Sequence, residues 1–343
     1  MPSAAPGDQP PSAGTALTLH MNALGEAVFA LPLLHALKHA SPPWRTVCVI
    51  RPALGGILSA SGLADVVIAR EAGAAGFLRL VAQVRKARPT ICFALSTSPS
   101  NSALARISGT RRRIGYRHAG LARLLETVRF EGGGVENCLS LLRPLGIERT
   151  ISTYSGLLKV PQETQEQADA LLARAGIGAA ETFIAVSPIS TGKLGAKAYP
   201  AESWQAVCDD LGEAGWRVVL VGSSEDLELH RRILADRAGG ISLAGKTPPL
   251  VLAGVLGRAA CMVGVDTGPV HIAASLGVRC VTLFGPSDPR RTAPCGDGHV
   301  NLCAGLDCQP CHAAPCRRAG ACMKAISPAD VIRAVRDVVT FPG

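Results

Sequence analysis

Short apolar runs alternate with longer amphipathic stretches along most of the chain. Runs of this kind are typical of strands buried on both faces of a sheet, and the stretches between them carry the spacing of helices. The pattern predicts α/β architecture with doubly wound parallel sheets. The predicted strands are residues 16–20, 46–50, 65–69, 90–94, 183–186, 217–221, 241–243, 261–265 and 278–284. The predicted helices include residues 26–39, 54–61, 76–86, 100–108 and 328–340.

Chain length fits two domains. The 343 residues, 48% of them apolar, can form two cores, and 37 glycines and 24 prolines indicate many short turns. We predict an N-terminal Rossmann-like domain at residues 16–155 and a C-terminal one at 156–325. Residues 1–15 are predicted to be a disordered extension. Residues 326–343 are predicted to contain a helix, for which a return to the N-terminal domain is one option.

The most informative segment is VGVDTGPVHIAASLGVRCVTLFGPSDP at residues 263–289. Asp266 and Thr267 follow a predicted strand, Gly268 permits a tight turn, and a helix then begins. Free N–H groups at a helix N-terminus bind phosphate, so this segment predicts a site for an anionic, nucleotide-like ligand. The alternative is that Asp266 or Thr267 only caps the helix and that His271 packs in the interior.

This segment resembles the nucleotide-sugar half of glycosyltransferase family 9, the ADP-heptose lipopolysaccharide heptosyltransferases. The family pattern D-T/S-G-x-x-H-x-A-A-x-G, followed by an apolar strand and F-G-P/T-x-x-P, is complete here. Three other segments extend the resemblance: LTLHMNALGEAVFALPLLHALK, SPISTGKLGAKAYPAESW and CQPCHAAPCRRAGACMKAISPADV. The resemblance implies a GT-B fold, with two Rossmann-like domains facing a central cleft, and inverting sugar transfer with no required cofactor.

The resemblance also implies roles for individual residues. Glu26 stands where the family has the aspartate proposed as catalytic base, and its simpler role would be to stabilise a helix dipole. Lys197 stands at the phosphate-contacting lysine, with a solvated loop lysine as the alternative, while Tyr199 replaces the usual tryptophan. Glu225 would contact the donor ribose or serve as a helix N-terminal acid. The full predicted donor set is Ser187, Lys197, Glu225, Asp266, Thr267, Gly268 and His271.

The net charge of +9 is unevenly distributed. One stretch of the N-terminal half contains Arg106, Arg111, Arg112, Arg113, Arg117, Arg123 and Arg129. Because arginine binds phosphate and carboxylate bidentately, an anionic glycan or glycolipid acceptor is predicted, with Arg113 and Arg117 as its ligands. The same arginines would suit contact with an anionic inner membrane, and a solvated basic face is the simpler alternative. Nucleic acid is not predicted, since no aromatic residues interleave with the charges.

Six of the twelve cysteines crowd residues 295–322. The spacing of Cys308, Cys311, Cys316 and Cys322 suits a structural zinc or iron site, with His312 as a further ligand. The alternative is that these thiols pack the Cys-rich loop predicted at residues 303–322. No metal is required by the predicted chemistry.

The predicted function is therefore inverting transfer of a sugar, heptose from ADP-heptose, to a lipopolysaccharide core or related glycan. A catalytically degenerate GT-B protein that binds a nucleotide sugar is the alternative, because Glu26 and Tyr199 depart from the family pattern. A dinucleotide-dependent oxidoreductase is less consistent, since NALGEA replaces G-x-G-x-x-G after the first strand. The chain start does not read as a secretory signal, and we expect a cytoplasmic monomer or small oligomer, peripheral to the inner membrane at most.

Overall fold

The structure is a computed structural model that describes residues 13–20, 23–130, 134–148, 151, 153–188, 196–235, 240–311 and 316–339. It divides into two compact units, Met1–Thr153 and Tyr154–Gly343. The division falls two residues before the boundary that the sequence predicts at 155/156. Each unit is built on a parallel sheet of six strands, as the alternating pattern predicts.

The first unit has strand order β3-β2-β1-β4-β5-β6, so the chain winds outward from β1 to one edge and then from β4 to the other. β1 pairs in parallel with both β2 and β4, which makes the β1/β4 boundary the point where the winding reverses. Ligands of open α/β sheets bind at such points. The strands are β1 (Gly14–Leu19), β2 (Trp44–Ile50), β3 (Val66–Ala69), β4 (Ile91–Ala94), β5 (Arg112–Tyr116) and β6 (Glu126–Val128).

The four predicted helices of this unit are present, although the first is divided, and a further helix at Gly134–Ser140 is not among the predictions. The sequence predicts one helix at 26–39, whereas the structure has two, which meet at Ala30. Pro32 explains the break, because it has no N–H to donate to the carbonyl of Val28. The helices are α1 (Leu24–Phe29), α2 (Leu31–Lys38), α3 (Pro52–Ala60), α4 (Gly73–Lys86), α5 (Pro99–Ile107) and α6 (Gly134–Ser140).

The second unit repeats this topology with strand order β12-β11-β10-β7-β8-β9. Its winding reverses between β7 and β10, which pair in parallel. The strands are β7 (Phe183–Ser187), β8 (Val218–Leu220), β9 (Ile241–Ser242), β10 (Ala259–Val265), β11 (Cys280–Phe284) and β12 (Val300–Cys303). The helices are α7 (Gln162–Arg174), α8 (Ala201–Glu213), α9 (Leu227–Leu234), α10 (Pro249–Leu256), α11 (Gly268–Ser275), α12 (Pro289–Thr292), α13 (Ala321–Lys324) and α14 (Pro328–Val338).

The last helix, α14, packs on the core of the second unit, and its return to the first domain stays a prediction. Val331 and Val335 of α14 are buried in the same core as Trp204 of α8, and Arg336 pairs with Asp210 at 2.9 Å. The apolar face of α14 is buried in this core. Within the described part of the chain, no helix is long and apolar enough to cross a membrane.

Candidate functional site

The candidate donor site lies at the carboxyl ends of β7 and β10, where the winding of the second sheet reverses. Gly264 of β10 pairs with Ser187 at the end of β7. A Cβ on Gly264 would lie 3.1 Å from Cγ2 of Val270 and 3.3 Å from Cβ of Ser187, so the glycine lets α11 approach the strand ends closely. Ser187 itself is buried.

The N-terminus of α11 begins directly after β10. Thr267 is its N-cap, and the threonine hydroxyl donates to the carbonyl of Val265 at 3.0 Å. Among the described residues, no side chain caps this helix. The capping role considered for Asp266 and Thr267 is therefore not what these side chains do. Of the first three positions of α11, Gly268 has the N–H that can meet an anion, because Pro269 has no N–H and the N–H of Val270 donates to the carbonyl of Thr267.

Lys197 and Asp266 form the central ion pair of the site. Nζ of Lys197 donates to Oδ2 of Asp266 at 2.7 Å and to its carbonyl oxygen at 2.9 Å. Nε2 of His271 lies 3.5 Å from Oδ1 of the same aspartate, and Oγ1 of Thr292 lies 3.3 Å from Oδ2. Burial alone would raise the pKa of Asp266, but the His271 hydrogen bond and the Lys197 charge hold it well below its usual value. Asp266 is therefore ionised at neutral pH.

Tyr154 completes this network and is a residue that sequence reasoning missed. It is fully buried, and its hydroxyl is hydrogen-bonded to Nδ1 of His271 at 2.9 Å. The signal that could have pointed to Tyr154 is composition, because the chain has 3 tyrosines. A tyrosine hydroxyl that is buried needs a polar partner. The expectation that His271 packs in the interior is correct for its burial, yet both ring nitrogens face polar groups.

The loop at residues 285–289 is held by the Cys-rich segment. Nε2 of Gln309 donates to the carbonyl of Gly285 at 2.6 Å, and the backbone N–H of Cys311 donates to the carbonyl of Pro286 at 3.0 Å. A Cβ on Gly285 would lie 2.5 Å from Sδ of Met323. The loop that follows β11 thus has its shape fixed by residues near the C-terminus.

Glu225 lies at the carboxyl end of the neighbouring strand β8. It occupies a short 3-10 turn, Ser224–Asp226, and its side chain is exposed. Glu225 is one of two acids in this first turn, the position of a helix N-terminal acid, and the carboxylate of its neighbour Asp226 accepts from the N–H and the hydroxyl of Ser223 at 2.8 and 2.7 Å.

In the first unit, Glu26 lies in the first turn of α1, directly after β1. Burial raises the pKa of its carboxyl, an effect that a hydrogen bond from the backbone N–H of Ala23 partly offsets. Burial and then the Glu26 charge raise the pKa of the Cys138 thiol to about 12. The helix is tightly seated, since a Cβ on Gly134 would lie 2.5 Å from Cδ2 of Phe29. Glu26 is thus a half-buried acid that accepts a proton more readily than an exposed glutamate.

A family model agrees with this picture of the chain. The model of glycosyltransferase family 9 (heptosyltransferase) matches residues 77–321, which is more than half of the sequence. The chain belongs to glycosyltransferase family 9. The matched residues include the Lys197–Asp266–His271 network, whereas Glu26 precedes them.

Curated relatives come from the same family. Over 119 residues the chain is 38% identical to lipopolysaccharide heptosyltransferase 1 of Pseudomonas aeruginosa, a match that covers 34% of this chain and 32% of that protein. Over 242 residues it is 26% identical to lipopolysaccharide heptosyltransferase 3 of Escherichia coli, covering 67% of this chain and 69% of that protein. The chain thus spans about a third of the length of the first relative.

Solved structures of the family share the fold. A family 9 glycosyltransferase from Veillonella parvula superposes with a TM-score of 0.82 at 22% identity, covering 95% of this chain and 97% of that one. The ADP-heptose heptosyltransferase II of E. coli gives a TM-score of 0.78 at 20% identity, covering 94% and 98%. These likenesses, with two doubly wound sheets, confirm the predicted GT-B fold class.

One departure from the family pattern, at Tyr199, has a structural explanation. Tyr199, at the usual tryptophan, packs edge-on against Trp204 with ring centroids 5.1 Å apart, and its hydroxyl donates to the carbonyl of Ile326 at 3.0 Å. It is therefore a core residue.

The two predicted acceptor ligands differ in exposure. Arg113 is only half-exposed, and its guanidinium donates to the carbonyls of Leu124 and Thr110. Arg117 is exposed and has its side chain directed to solvent.

The cysteines do not form a metal site within the described residues, where no three His, Cys, Asp or Glu side chains lie close enough to hold an ion. Cys322 is buried, Cys308 and Cys316 are half-buried, and Cys311 is exposed. The alternative of buried packing thiols therefore applies to Cys322 alone. His312 lies outside the described residues. The TibC glycosyltransferase of enterotoxigenic E. coli, described as iron-containing, resembles the chain with a TM-score of 0.63 at 14% identity. This resemblance is one of fold.

Proposed function

We propose that this chain transfers a sugar from a nucleoside diphosphate to a glycan with inversion at the anomeric carbon. Heptose from ADP-heptose is the proposed donor, and a lipopolysaccharide core or related glycan is the proposed acceptor. Family membership and relatives that bear the name lipopolysaccharide heptosyltransferase support this choice. The observation that carries it is the Lys197–Asp266 ion pair beside the uncapped N-terminus of α11.

In this proposal Lys197 and α11 bind the donor diphosphate. An ammonium group has three N–H donors, and two of those of Lys197 are directed to Asp266. Within the described residues, the third has no hydrogen-bond partner and can bind a phosphate oxygen. Together with the backbone N–H groups of Thr267 and Gly268, it would stabilise the negative charge that grows on the diphosphate as it leaves.

Asp266 is given an orienting role. Its carboxylate is ionised, so direct contact with a diphosphate would be repulsive. It instead holds Lys197 on one oxygen and His271 on the other. Ser187, at the end of β7, and Glu225, at the end of β8, are assigned to the remainder of the donor, with Glu225 accepting from ribose hydroxyls.

Glu26 is the proposed base. Its carboxylate takes the proton of the acceptor hydroxyl while that oxygen forms a bond to the anomeric carbon. The bond between this carbon and the phosphate oxygen breaks, and the nucleoside diphosphate leaves with the electron pair. The raised pKa of Glu26 suits this task, since a base whose pKa lies closer to neutrality accepts the proton more effectively.

The acceptor is assigned to the first unit, at the cytoplasmic side of the inner membrane. Arg117 is the stronger candidate ligand for an anionic acceptor, because its guanidinium is exposed. Arg113 is the weaker candidate, because two of its five N–H donors are directed to the backbone carbonyls of Leu124 and Thr110. No cofactor is proposed for the transfer.

The test begins with calorimetric titration of ADP, UDP, GDP and NAD into the purified protein. Release of nucleoside diphosphate from the matching sugar donor is then measured with a lipopolysaccharide core acceptor. Selective ADP binding with acceptor-dependent ADP release is the expected result. Binding without turnover in the presence of several core acceptors would identify a catalytically degenerate protein, and binding of NAD alone would refute the proposal.

A further inference from the structure

Helix α4 of the first unit has an apolar face that is directed away from its own sheet. Gly76, Leu80 and Val84, spaced by four residues, are its buried side. Outside this buried stripe, Phe77 on its flank is 43% exposed and Leu78 on the opposite side is 69% exposed. The neighbouring positions on this side are also exposed and small: Ala74, Ala75 and Ala82. A surface helix normally presents polar residues here, so this face is of the kind that contacts another apolar phase.

The adjacent edge of the sheet also exposes apolar residues. β3 is the edge strand; its Val66 and Val67 are half-exposed and its Ala69 is exposed. A groove of about 530 Å³ lies between β3 and α4. Its floor includes Ile68 and Leu80. We call this groove, together with the exposed side chains of Phe77 and Leu78, the α4 face.

Cations surround the α4 face. Arg45 and Lys86 line the groove, and Arg85 and Arg88 lie exposed at the end of the helix. The nearby acid Glu71 is already paired with Arg79. The rim therefore carries an excess of positive charge, as does the whole chain with its net charge of +9.

We propose that the α4 face docks on an anionic lipid bilayer. An exposed apolar helix face with lysine and arginine beside it is the pattern of helices that lie in the membrane interface. Phe77 and Leu78 would enter the boundary between head groups and acyl chains, and each basic side chain near an anionic leaflet would strengthen the binding. A second copy of the chain is a poor occupant, because its own cationic rim would face this one.

This inference rests on the proposed function, because a glycolipid acceptor gives the first unit a reason to meet a membrane. Docking would bring the unit to the surface on which such an acceptor is displayed. The binding itself requires neither donor nor transfer, so the two can be tested separately.

Vesicle co-sedimentation of the full chain tests the docking, with phosphatidylcholine vesicles compared with vesicles that also contain phosphatidylglycerol. We expect binding to the anionic vesicles that weakens with salt. The Phe77→Ser/Leu78→Ser and Arg45→Glu/Lys86→Glu variants should each bind roughly tenfold or more weakly. Leu227→Ser, at a leucine that is 38% exposed in the second unit, and Arg232→Glu, at an exposed arginine there, are matched controls that should bind like the wild type.

A Phe77→Trp variant reports the contact directly. Its emission should shift to the blue on anionic vesicles and be quenched by brominated acyl chains, more than that of the wild type. Unchanged binding of both α4-face variants, or an added tryptophan that brominated lipid does not quench, would overturn the proposal. Self-association without vesicles that Phe77→Ser/Leu78→Ser abolishes would also overturn it, because a second copy would then occupy the face.

Transfer to a water-soluble, delipidated core acceptor separates this inference from the proposed function. The α4-face variants should keep that activity and lose activity on acceptor embedded in vesicles. Anionic-vesicle binding by a protein with no transferase activity would refute the function and leave the docking intact. Full activity with α4-face variants on embedded acceptor would refute the docking alone.

Discussion

The hydroxyl of Tyr154 lies 2.9 Å from Nδ1 of His271, whose other ring nitrogen lies 3.5 Å from the Asp266 carboxylate. The imidazole is thereby held at both ends, and the first residue of the second unit is joined to the candidate donor site. A ring fixed in this way presents one orientation to Asp266, which in turn orients Lys197.

Tyr154→Phe removes this hydroxyl and leaves Nδ1 of His271 buried with a lost partner. We expect the free energy of unfolding to fall by about 1–2 kcal/mol and the affinity for ADP to fall several-fold. Urea unfolding, calorimetry and the 15N shifts of the His271 ring measure these changes. Tyr199→Phe is the matched control, since it removes a buried hydroxyl bonded to the Ile326 carbonyl; it should lose stability and keep both the His271 shifts and the ADP affinity. Equal ADP affinity in Tyr154→Phe and the wild type would remove the orienting role.

Lys197→Ala should weaken ADP binding by at least roughly tenfold, which corresponds to the loss of one charge-assisted hydrogen bond. It also deprives the buried Asp266 of its cation, so the pKa of that carboxyl should rise. Lys197→Arg keeps the charge and should retain part of the affinity. Titration of ADP and of adenosine into each variant is the measurement. A comparable loss for adenosine, which has no phosphate, would place Lys197 away from the diphosphate.

Glu26→Gln should reduce transfer by about 10²–10⁴-fold, the usual contribution of a positioned base. Donor binding should be nearly unchanged, because Glu26 lies in the first unit and the donor set lies in the second. Single-turnover rates and ADP titrations separate the two effects. Glu26→Asp, which restores the family residue, should keep measurable transfer. If Glu26→Gln is as active as the wild type, another residue is the base.

The rate of transfer should fall on the acid side of neutrality. Burial raises the pKa of Glu26 above that of an exposed glutamate, and only the ionised carboxylate accepts a proton. Activity is therefore lost as pH falls through this raised pKa and regained as pH rises above it. A profile of kcat/KM against pH shows the position of the limb. A limb at the pH of an ordinary glutamate would indicate that the base is solvated in the free enzyme.

The local features of the donor site could be predicted from the sequence because they depend on neighbours in the chain. Residues 261–265 and 278–284 were predicted as strands, and the structure has Ala259–Val265 and Cys280–Phe284. The turn at Gly268 and the helix that follows it also depend on adjacent residues. Periodicity and turn chemistry act over such distances.

Contacts between distant residues could not be predicted in this way. Lys197 and Asp266 are 69 residues apart, and Tyr154 and His271 are 117 apart, so their pairing depends on the complete fold. The strands β5, β6 and β12 were also missed, because each has exposed or half-exposed positions that interrupt the apolar run. Arg113 illustrates a further limit, since arginine suits both an anionic ligand and backbone carbonyls.

The packing of Gly285 against Met323 leads to a prediction about the loop after β11. A Cβ on Gly285 would lie 2.5 Å from Sδ and 2.9 Å from Cγ of Met323, which is fully buried. Gly285→Ala should therefore cost about 1–3 kcal/mol of unfolding free energy through overpacking and weaken ADP binding by displacing the loop. Gly212→Ala, at a glycine of α8 with no heavy atom within 4 Å of the added carbon, should instead stabilise by up to about 1 kcal/mol.

A double-mutant cycle with Met323→Ala identifies the cause. Met323→Ala alone should destabilise through its cavity, by about 2–5 kcal/mol. In the double variant the added methyl group occupies part of that cavity, so the total cost should be smaller than the sum of the single costs. Strict additivity in urea unfolding would mean that the Gly285 substitution acts elsewhere, and the loop would then owe its shape to its hydrogen bonds with Gln309 and Cys311.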